Sequence, residues 1–440
     1  MRLSLLPLFI GLWLAVVSVT KPAIAQSLIR DADIEHSLDQ LSAPILRAAG
    51  LNPNNVRILV VNDRSLNAFV IDGSAIFIHS GLMLRMTSAA QLQSVIAHEA
   101  AHIANGHLSR RLTNLRNSGT AAGFGLALAA AIALATDEPG AAAGVAAGSL
   151  GTSQRQFFSH TRAEESAADQ SGIRYMLAAG VDPQAAIEVL DIFRGQEALS
   201  VSRQDPYART HPLTADRLRS VRGLIAANPG ASSSTPNADF WFARAQGKLS
   251  AFTQNPSWTL RRVRGDNSAV GTLRRAVAYH RQGDANRAID AMQSLLQTSP
   301  NDAYWHELFG QILLESRQAD AAIQSYRNAV SLNGNEPLIL GGYGRALLAL
   351  DTSDSNALAV RTLERARALD AHSSSTLRDL AQAYARTGQP GLASLATAER
   401  YVLQGRVDDA RLHATRAADR LSRGSASWQR AQDVLSATNR

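Results

Sequence analysis

The sequence predicts a mainly α-helical protein of two units, in which an α+β unit with a small sheet precedes an all-α array of repeats. Three observations indicate this fold class. Aromatic residues make up only 5% of the 440 residues, and the abundant Ala favours closely packed helices over a β-sandwich. Short runs rich in Val and Ile between residues 56 and 78 indicate a few strands. In the C-terminal half, Gly310 and Gly344 lie 34 residues apart and mark a repeat.

Composition limits the chemistry that this chain can perform. It contains no Cys, which excludes a disulfide scaffold, a Cys nucleophile and a Cys-ligated metal, so any metal must be bound by His, Asp and Glu. The net charge of +7 is spread along the chain without a block of like charges. That pattern favours a solvated, Arg-rich surface over a nucleic-acid-binding patch, and we expect no nucleic-acid partner.

Residues 1–25 have the features of a secretory signal peptide. Arg2 is followed by an uncharged, mostly apolar run, and Ala23 and Ala25 place small residues before a cleavage site. An uncleaved anchor helix is the alternative interpretation. We therefore expect an exported, periplasmic protein whose signal peptide is cleaved after Ala25.

The pattern of apolar residues predicts an α+β unit over residues 26–228. Pro44 is expected to kink or break its first helix. Asp72-Gly73, between the last two predicted strands, is typical of a hairpin turn. The predicted helices cover residues 28–50, 88–112, 162–194 and 214–227, and the predicted strands cover 56–62, 67–70 and 75–78.

Residues 118–153 form an apolar segment rich in Ala and Gly, with charge only at Asp137 and Glu138. Because Ala and Gly contribute little to membrane insertion, we do not expect a stable span here. Two interpretations remain open, namely a cover over a cleft and peripheral contact with a bilayer.

The stretch rich in Asn, Pro and Ser that begins at Asn228 is the clearest linker signal in the chain. We therefore place a linker over residues 229–265 and a repeat domain over residues 266–440. The 34-residue period is that of tetratricopeptide repeats, in which small residues let paired helices pack closely. Several stacked copies are needed to close a core, so we expect a helical solenoid.

The chemistry is predicted to lie in the motif His98-Glu99-x-x-His102, within the second long helix. Residues four apart share one helical face, so both imidazoles can reach a single metal ion. Glu99 lies beside the open coordination position and can take a proton from metal-bound water. A Zn²⁺ ion lowers the pKa of that water and polarises a scissile carbonyl.

A hydrolytic zinc needs a third protein ligand. His107 is the nearest candidate, but it lies one residue short of the third histidine of the metzincin pattern. Glu165, on the next predicted helix, is the better candidate, and Glu164 beside it is the alternative. Asp169, four residues after Glu165, can orient a ligand histidine or contact the substrate.

These motifs together resemble the M48 family of metallopeptidases. Glu-x-x-Ala-Asp begins at Glu165, Asn-Ala-Phe begins at Asn67, Thr-His-Pro contains His211, and Arg217 follows six residues after that histidine. The resemblance implies a gluzincin-like α+β metalloprotease domain before the repeats. It further implies one Zn²⁺ per chain held by His98, His102 and Glu165, with Glu99 and Asp169 as catalytic residues.

His211 is a third candidate catalytic residue, and the sequence leaves its role open. It could donate a hydrogen bond to the oxyanion of the transition state. It could instead occupy the open zinc position and hold the enzyme inactive. A structural histidine in the loop before Pro212 is the remaining interpretation.

Together with the signal peptide and the repeats, the family resemblance implies an exported zinc endopeptidase in the quality control and assembly of outer-membrane proteins. The implied partners are unfolded or misassembled outer-membrane proteins, the barrel assembly machinery through the repeats, and a membrane surface by peripheral contact. The alternative is a chaperone or scaffold whose repeats bind clients while proteolysis is largely suppressed.

Overall fold

The fold is that of a computed structural model, which describes residues 28–71, 73–107, 109–110, 161–200, 203–228 and 237–438. The predicted signal peptide, Asp72 of the predicted turn and the apolar segment 118–153 lie outside the described residues. Within the described part, no helix combines the length and the apolarity that a membrane span requires.

The N-terminal unit begins with a short strand, β1 (Leu28–Ile29), and helix α1 (Ala32–Ala48). Asp31 caps α1, because its carboxylate accepts hydrogen bonds from the first backbone N–H groups of the helix. Pro44 lies inside α1 and does not end it. A fully buried apolar stripe that includes Leu38, Leu41 and Ile45 holds the helix against the core on both sides of the proline.

A four-stranded sheet packs beside α1. Its remaining strands are β2 (Arg57–Val61), β3 (Ala68–Val70) and β4 (Ala75–His79), close to the predicted positions. The order is β1-β2-β4-β3, with β2 and β4 parallel and the other pairs antiparallel. β3 is therefore an edge strand, and β4 lies inside the sheet.

Helix α2 (Ser80–Arg85) leads from β4 to helix α3 (Ala89–Ala104), which carries the His-Glu-x-x-His motif. Ser88 caps the start of α3. The helix ends earlier than predicted, because Gly106 adopts a φ of +67° that turns the chain away. Almost every side chain of α3 up to His102 is buried, so the motif lies in the interior of the unit.

Four further helices of the N-terminal unit lie among the described residues. The single helix predicted over 162–194 is two helices, because Gly180 with a φ of +74° and Pro183 interrupt it. At Gly172, an added Cβ would lie 3.4 Å from the backbone of α3, which shows how closely the two helices approach. The four are α4 (Arg162–Ala178), α5 (Gln184–Ile192), α6 (Pro206–Thr210) and α7 (Ala215–Ala226).

The linker predicted over residues 229–265 is wrong in its extent. Helices α8 (Ala238–Thr253) and α9 (Pro256–Arg262) occupy most of it. Phe242, Ala245 and Leu249 of α8 belong to the buried core that also contains α1 and α3. Residues 229–236, which include the Pro- and Ser-rich stretch, lie outside the described residues. The apolar residues that follow belong to a helix, α8, which is buried against the N-terminal unit.

The repeat array follows as five consecutive helix pairs in residues 269–438, which confirms the predicted solenoid. Small residues sit where the paired helices cross: a Cβ added to Gly310 would lie 2.7 Å from the Tyr326 ring, and one added to Gly344 would overlap Leu363. The helices are α10 (Ala269–Arg281), α11 (Ala285–Thr298), α12 (Ala303–Glu315), α13 (Ala319–Leu332), α14 (Pro337–Leu350), α15 (Ser353–Leu369), α16 (Ser374–Arg386), α17 (Pro390–Leu403), α18 (Val407–Ala418) and α19 (Ala426–Thr438).

Buried charges join α1, α8 and the first repeats. Arg244 of α8 forms an ion pair with Asp33 of α1, and its Nη1 lies 2.6 Å from Oδ2 of Asp302, which caps α12. Lys248, one turn further along α8, lies 2.8 Å from Asp31. These contacts place the start of α1 directly against the repeat array.

Candidate metal centre

Helices α3 and α4 bring together the three predicted metal ligands. The Nε2 atoms of His98 and His102 lie 3.1 Å apart. Oε2 of Glu165 lies 3.5 Å from Nε2 of His98, and Oε1 of Glu165 lies 3.4 Å from Nε2 of His102. All three side chains are buried. The i, i+4 spacing within α3 and the close crossing of α4 therefore produce one compact cluster of donor atoms.

The separations between these donor atoms fit a tetrahedral metal site. Four ligands each about 2.0–2.1 Å from one ion would lie roughly 3.3 Å from one another. The nearest donor atoms of the three predicted ligands lie 3.1 to 3.5 Å apart, with a different oxygen of Glu165 nearest to each histidine. Imidazole nitrogens with a carboxylate oxygen are also the donor types that suit Zn²⁺. The residues present therefore fit a bound metal ion in both spacing and chemistry.

His211 supplies a fourth donor atom to the same cluster. Its Nδ1 atom lies 3.2 Å from His98 Nε2 and 2.9 Å from Glu165 Oε1. His211 follows directly after α6, and its ring stacks on Tyr207 with 4.5 Å between centroids. Tyr207 in turn stacks on Phe193. A buried aromatic column therefore holds His211 at the fourth position around the cluster.

Asp169 and Arg217 lie behind the donor atoms. Asp169 Oδ1 lies 3.1 Å from Nδ1 of His98, the ring nitrogen that faces away from the cluster. Arg217 donates two hydrogen bonds to Asp169, of 2.6 and 2.9 Å, and also contacts Glu165. This arrangement fixes the ring orientation of His98 and holds two acids close together. Arg217 itself is buried.

Burial and neighbouring charges set the protonation of the proposed ligands. Burial opposes ionisation of Glu165, but His211 and Arg217 outweigh it and hold the pKa of Glu165 well below 4.5. In the same way, Arg217 holds the pKa of Asp169 below 3.8 against the effect of burial. Burial lowers the pKa of His102 well below 6.5. Glu165 is thus a carboxylate and His102 a neutral imidazole at neutral pH. Against the effect of burial, Glu165 and Asp169 raise the pKa of His98 to about 10, so a bound metal ion would displace a proton from that ring.

Glu99 lies beside this cluster and outside its set of donor atoms. Its side chain is fully buried, and neither oxygen accepts a hydrogen bond from the described residues. Oε1 lies 3.5 Å from Nε2 of His211. Burial raises the pKa of Glu99 above 4.5, although His211 and His98 act in the opposite direction. A buried carboxylate with a raised pKa is well suited to accept and return a proton.

Three residues near the predicted site have roles that the sequence did not reveal. Glu164, the alternative third ligand, instead caps α4 by accepting a hydrogen bond of 2.9 Å from the backbone of Thr161. His107, rejected as a ligand, lies with its Nδ1 atom 2.9 Å from Nδ1 of His102. Tyr207, which stacks on His211, carries no sequence motif that could have identified it.

Comparison with known proteins agrees with this geometry. Residues 29–225 match the model of peptidase family M48. We call this part of the chain the M48 domain, after the family that it resembles. The M48 domain contains every residue of the donor cluster, as well as Asp169 and Arg217, which lie behind it. The chain is therefore a metalloendopeptidase that cleaves protein substrates and whose site takes a divalent metal.

Similarity to known proteins extends beyond the M48 domain. The chain is 26% identical over 400 residues to the beta-barrel assembly-enhancing protease of Escherichia coli (strain K12), covering 87% of this chain and 78% of that protein. It is 32% identical over 225 residues to the putative beta-barrel assembly-enhancing protease of Vibrio cholerae, covering 50% of this chain and 45% of that protein. Among solved structures, MamA covers 37% of this chain and 92% of its own, with 20% identity and a TM-score of 0.30.

Proposed function

We propose that this chain is an exported zinc endopeptidase in which His98, His102 and Glu165 bind one Zn²⁺ and Glu99 acts as the general base. The observation that carries the proposal is the convergence of buried donor atoms at the spacing of a tetrahedral zinc site. Bound there, zinc would lower the pKa of a water molecule and polarise the scissile carbonyl.

The protein's own residues supply the remaining steps. Glu99 takes the proton of the attacking water and passes it to the leaving amine nitrogen. Asp169, held by Arg217, keeps His98 oriented through its outer ring nitrogen. An extended substrate would add to the sheet at β3, because β4 is already paired on both sides.

Metal stoichiometry tests the proposed ligands. The full-length protein is expected to bind one Zn²⁺ per chain, and Glu165→Ala is expected to weaken zinc affinity by more than ~100-fold, beyond the usual cost of losing an outer-sphere partner. Glu164→Ala is a matched control, because Glu164 caps α4 away from the cluster. Metal analysis and chelator competition measure both variants. Full zinc occupancy in Glu165→Ala would contradict the assignment of the third ligand.

Metal removal is expected to destabilise the M48 domain. Chelation would leave four buried donors facing one another without the ion that the spacing fits. Free zinc at 100 times its dissociation constant stabilises a folded protein by about 2.7 kcal/mol, so Tm should rise when one equivalent of Zn²⁺ is returned to the chelated protein. Scanning calorimetry of the chelated and reloaded protein measures the shift. An unchanged Tm would argue against a metal in this cluster.

We further propose that His211 holds the resting enzyme inactive by occupying the fourth metal position. The support is the placement of its Nδ1 atom, 3.2 Å from His98 Nε2 and 2.9 Å from Glu165 Oε1. A water molecule or substrate carbonyl at that position would have to displace the imidazole. The proposal thus chooses between the two roles that the sequence left open for this residue.

Replacement of His211 separates its two roles. If the ring blocks the metal in nine molecules out of ten, His211→Ala should raise the rate of peptide cleavage by about tenfold. A hydrogen-bond donor to the oxyanion would give the opposite result, a loss of about 10²–10³-fold. His372→Ala, an exposed histidine of the repeats, is the control. Steady-state cleavage of one unstructured peptide by all three proteins decides between the roles.

We propose a periplasmic location and clients among unfolded or misassembled outer-membrane proteins. The support is the 26% identity to the beta-barrel assembly-enhancing protease over 87% of this chain, together with the repeat array. Within this proposal, residues 26–228 form the protease and residues 266–440 select the client. Cell fractionation and N-terminal sequencing test the location, because a mature chain should begin at Gln26. A chain recovered with Met1 intact in the cytoplasm would contradict it.

A chaperone or scaffold with suppressed proteolysis is the second candidate function. The observation that favours it is the placement of His211 in the metal cluster. The protein would then act mainly through its repeats and cleave only when His211 leaves. An inactive Glu99→Gln variant that still supports assembly of outer-membrane proteins in cells would favour this second function.

A further inference from the structure

His107 lies immediately behind one of the proposed zinc ligands. After α3 ends, Gly106 turns the chain with a φ of +67°, so that His107 returns to the side of the helix. Its Nδ1 atom lies 2.9 Å from Nδ1 of His102, and the ring centroids are 5.0 Å apart at an interplanar angle of 69°. Both rings are buried, His107 to 2% and His102 to 0% exposure.

The contact between two Nδ1 atoms imposes a proton arrangement. A hydrogen bond at this distance requires that one nitrogen carries the proton and that the other offers its lone pair. When His102 binds a metal through Nε2, its own Nδ1 carries the proton and donates it. Nδ1 of His107 is then the acceptor, which fixes the neutral tautomer of both rings.

From this geometry we infer that His107 is a positioning residue for zinc, acting through His102. Its imidazole holds the His102 ring at the orientation in which the Nε2 lone pair points at His98 and Glu165. The inference rests on the proposed zinc site and adds a residue that neither binds the metal nor contacts the substrate.

The two metal-binding histidines of α3 thus have outer partners of different charge. His98 faces the carboxylate of Asp169, and His102 faces a neutral imidazole. A second outer carboxylate would add a further negative charge to a buried site that already holds Glu99, Glu165 and Asp169. A neutral acceptor orients His102 without that cost, which is large in a buried environment.

Loss of this acceptor should weaken the metal site and should not merely disturb packing. His107→Leu removes the lone pair, and His107→Asn places an amide oxygen close to the position of the original Nδ1. His107→Gln carries the same amide one bond further out, where it cannot meet His102 in the same way. His372→Leu, an exposed histidine of the repeats, is the control for replacing any histidine.

The test is zinc affinity of the full-length protein by chelator competition, with the visible spectrum of the Co²⁺-loaded protein as a report on ligand geometry. We expect His107→Leu to weaken zinc binding by about 10–100-fold and to alter the Co²⁺ spectrum. His107→Asn should stay within a few-fold of wild type. If His107→Leu does not fold, the Asn and Gln variants carry the comparison, and Gln should bind zinc more weakly than Asn.

The outcomes separate this inference from the proposed function. A wild-type protein that binds no stoichiometric zinc overturns the proposed function itself. A wild-type protein that binds zinc, with His107→Leu folded and equal to it in affinity and Co²⁺ spectrum, overturns only the role of His107. Equal weakening in the Asn and Gln variants also overturns it, because acceptor placement would then not matter.

Discussion

Replacing Glu99 with Gln is expected to lower kcat for peptide cleavage by about 10²–10⁴-fold without removing the bound metal. Glutamine keeps the size of the side chain but cannot take a proton from water. Glu99 is fully buried beside His98, and it is outside the set of donor atoms that surround the proposed ion. The variant should therefore retain zinc, fold and client binding while it loses turnover.

Steady-state kinetics on an unstructured peptide and metal analysis of the same samples measure this separation. Glu164→Gln is the matched control, because it changes an acid that caps α4 and leaves the cluster intact. For this measurement the His211→Ala background is useful, since a faster starting rate widens the measurable range. Cleavage that persists in Glu99→Gln would mean that another group accepts the proton.

Replacing Arg244 with Met is expected to lower the free energy of unfolding by about 3–5 kcal/mol. Arg244 is 2% exposed and pairs with Asp33, which is fully buried. It also donates two hydrogen bonds to Asp302. The methionine would leave the buried carboxylate of Asp33 without its hydrogen-bonded partner, with Lys248 Nζ 3.7 Å away. Such a change costs more than an intact buried ion pair contributes.

A double variant separates the lost pair from lost packing. Arg244→Met with Asp33→Asn should recover much of the stability, because the uncompensated charge is gone. Arg219→Met, which breaks an exposed ion pair with Asp216, should leave the denaturant midpoint unchanged. Urea unfolding of the four proteins provides the comparison. Equal stability of the Arg244→Met variant and wild type would mean that α1, α8 and the repeats are not joined by these charges.

Local patterns account for the parts of the fold that the sequence predicted well. Runs of β-branched residues predicted strands β2, β3 and β4, and small residues at a fixed period predicted the repeats. Both patterns can be recognised within short windows of the sequence. Helix α8 was missed because composition around Asn228 indicated a linker, while the apolar residues that bury it pack against α1 and α3. Its assignment needed the partner surface, which no short window contains.

The sequence by itself determined that the chain carries a His-Glu-x-x-His helix, a second acidic motif at Glu165 and Asp169, and a helical repeat array. For the His-Glu-x-x-His motif, spacing within one helix is enough, since residues four apart must share a face. Only the tertiary structure decided that His211 joins the metal cluster, that Arg217 is buried behind it and that His107 supports His102. His211 lies 113 residues from His98 and 46 from Glu165 along the chain. Packing of α4 and α6 against α3 brings these residues together in space. How the helices pack depends on all the surfaces that they bury together.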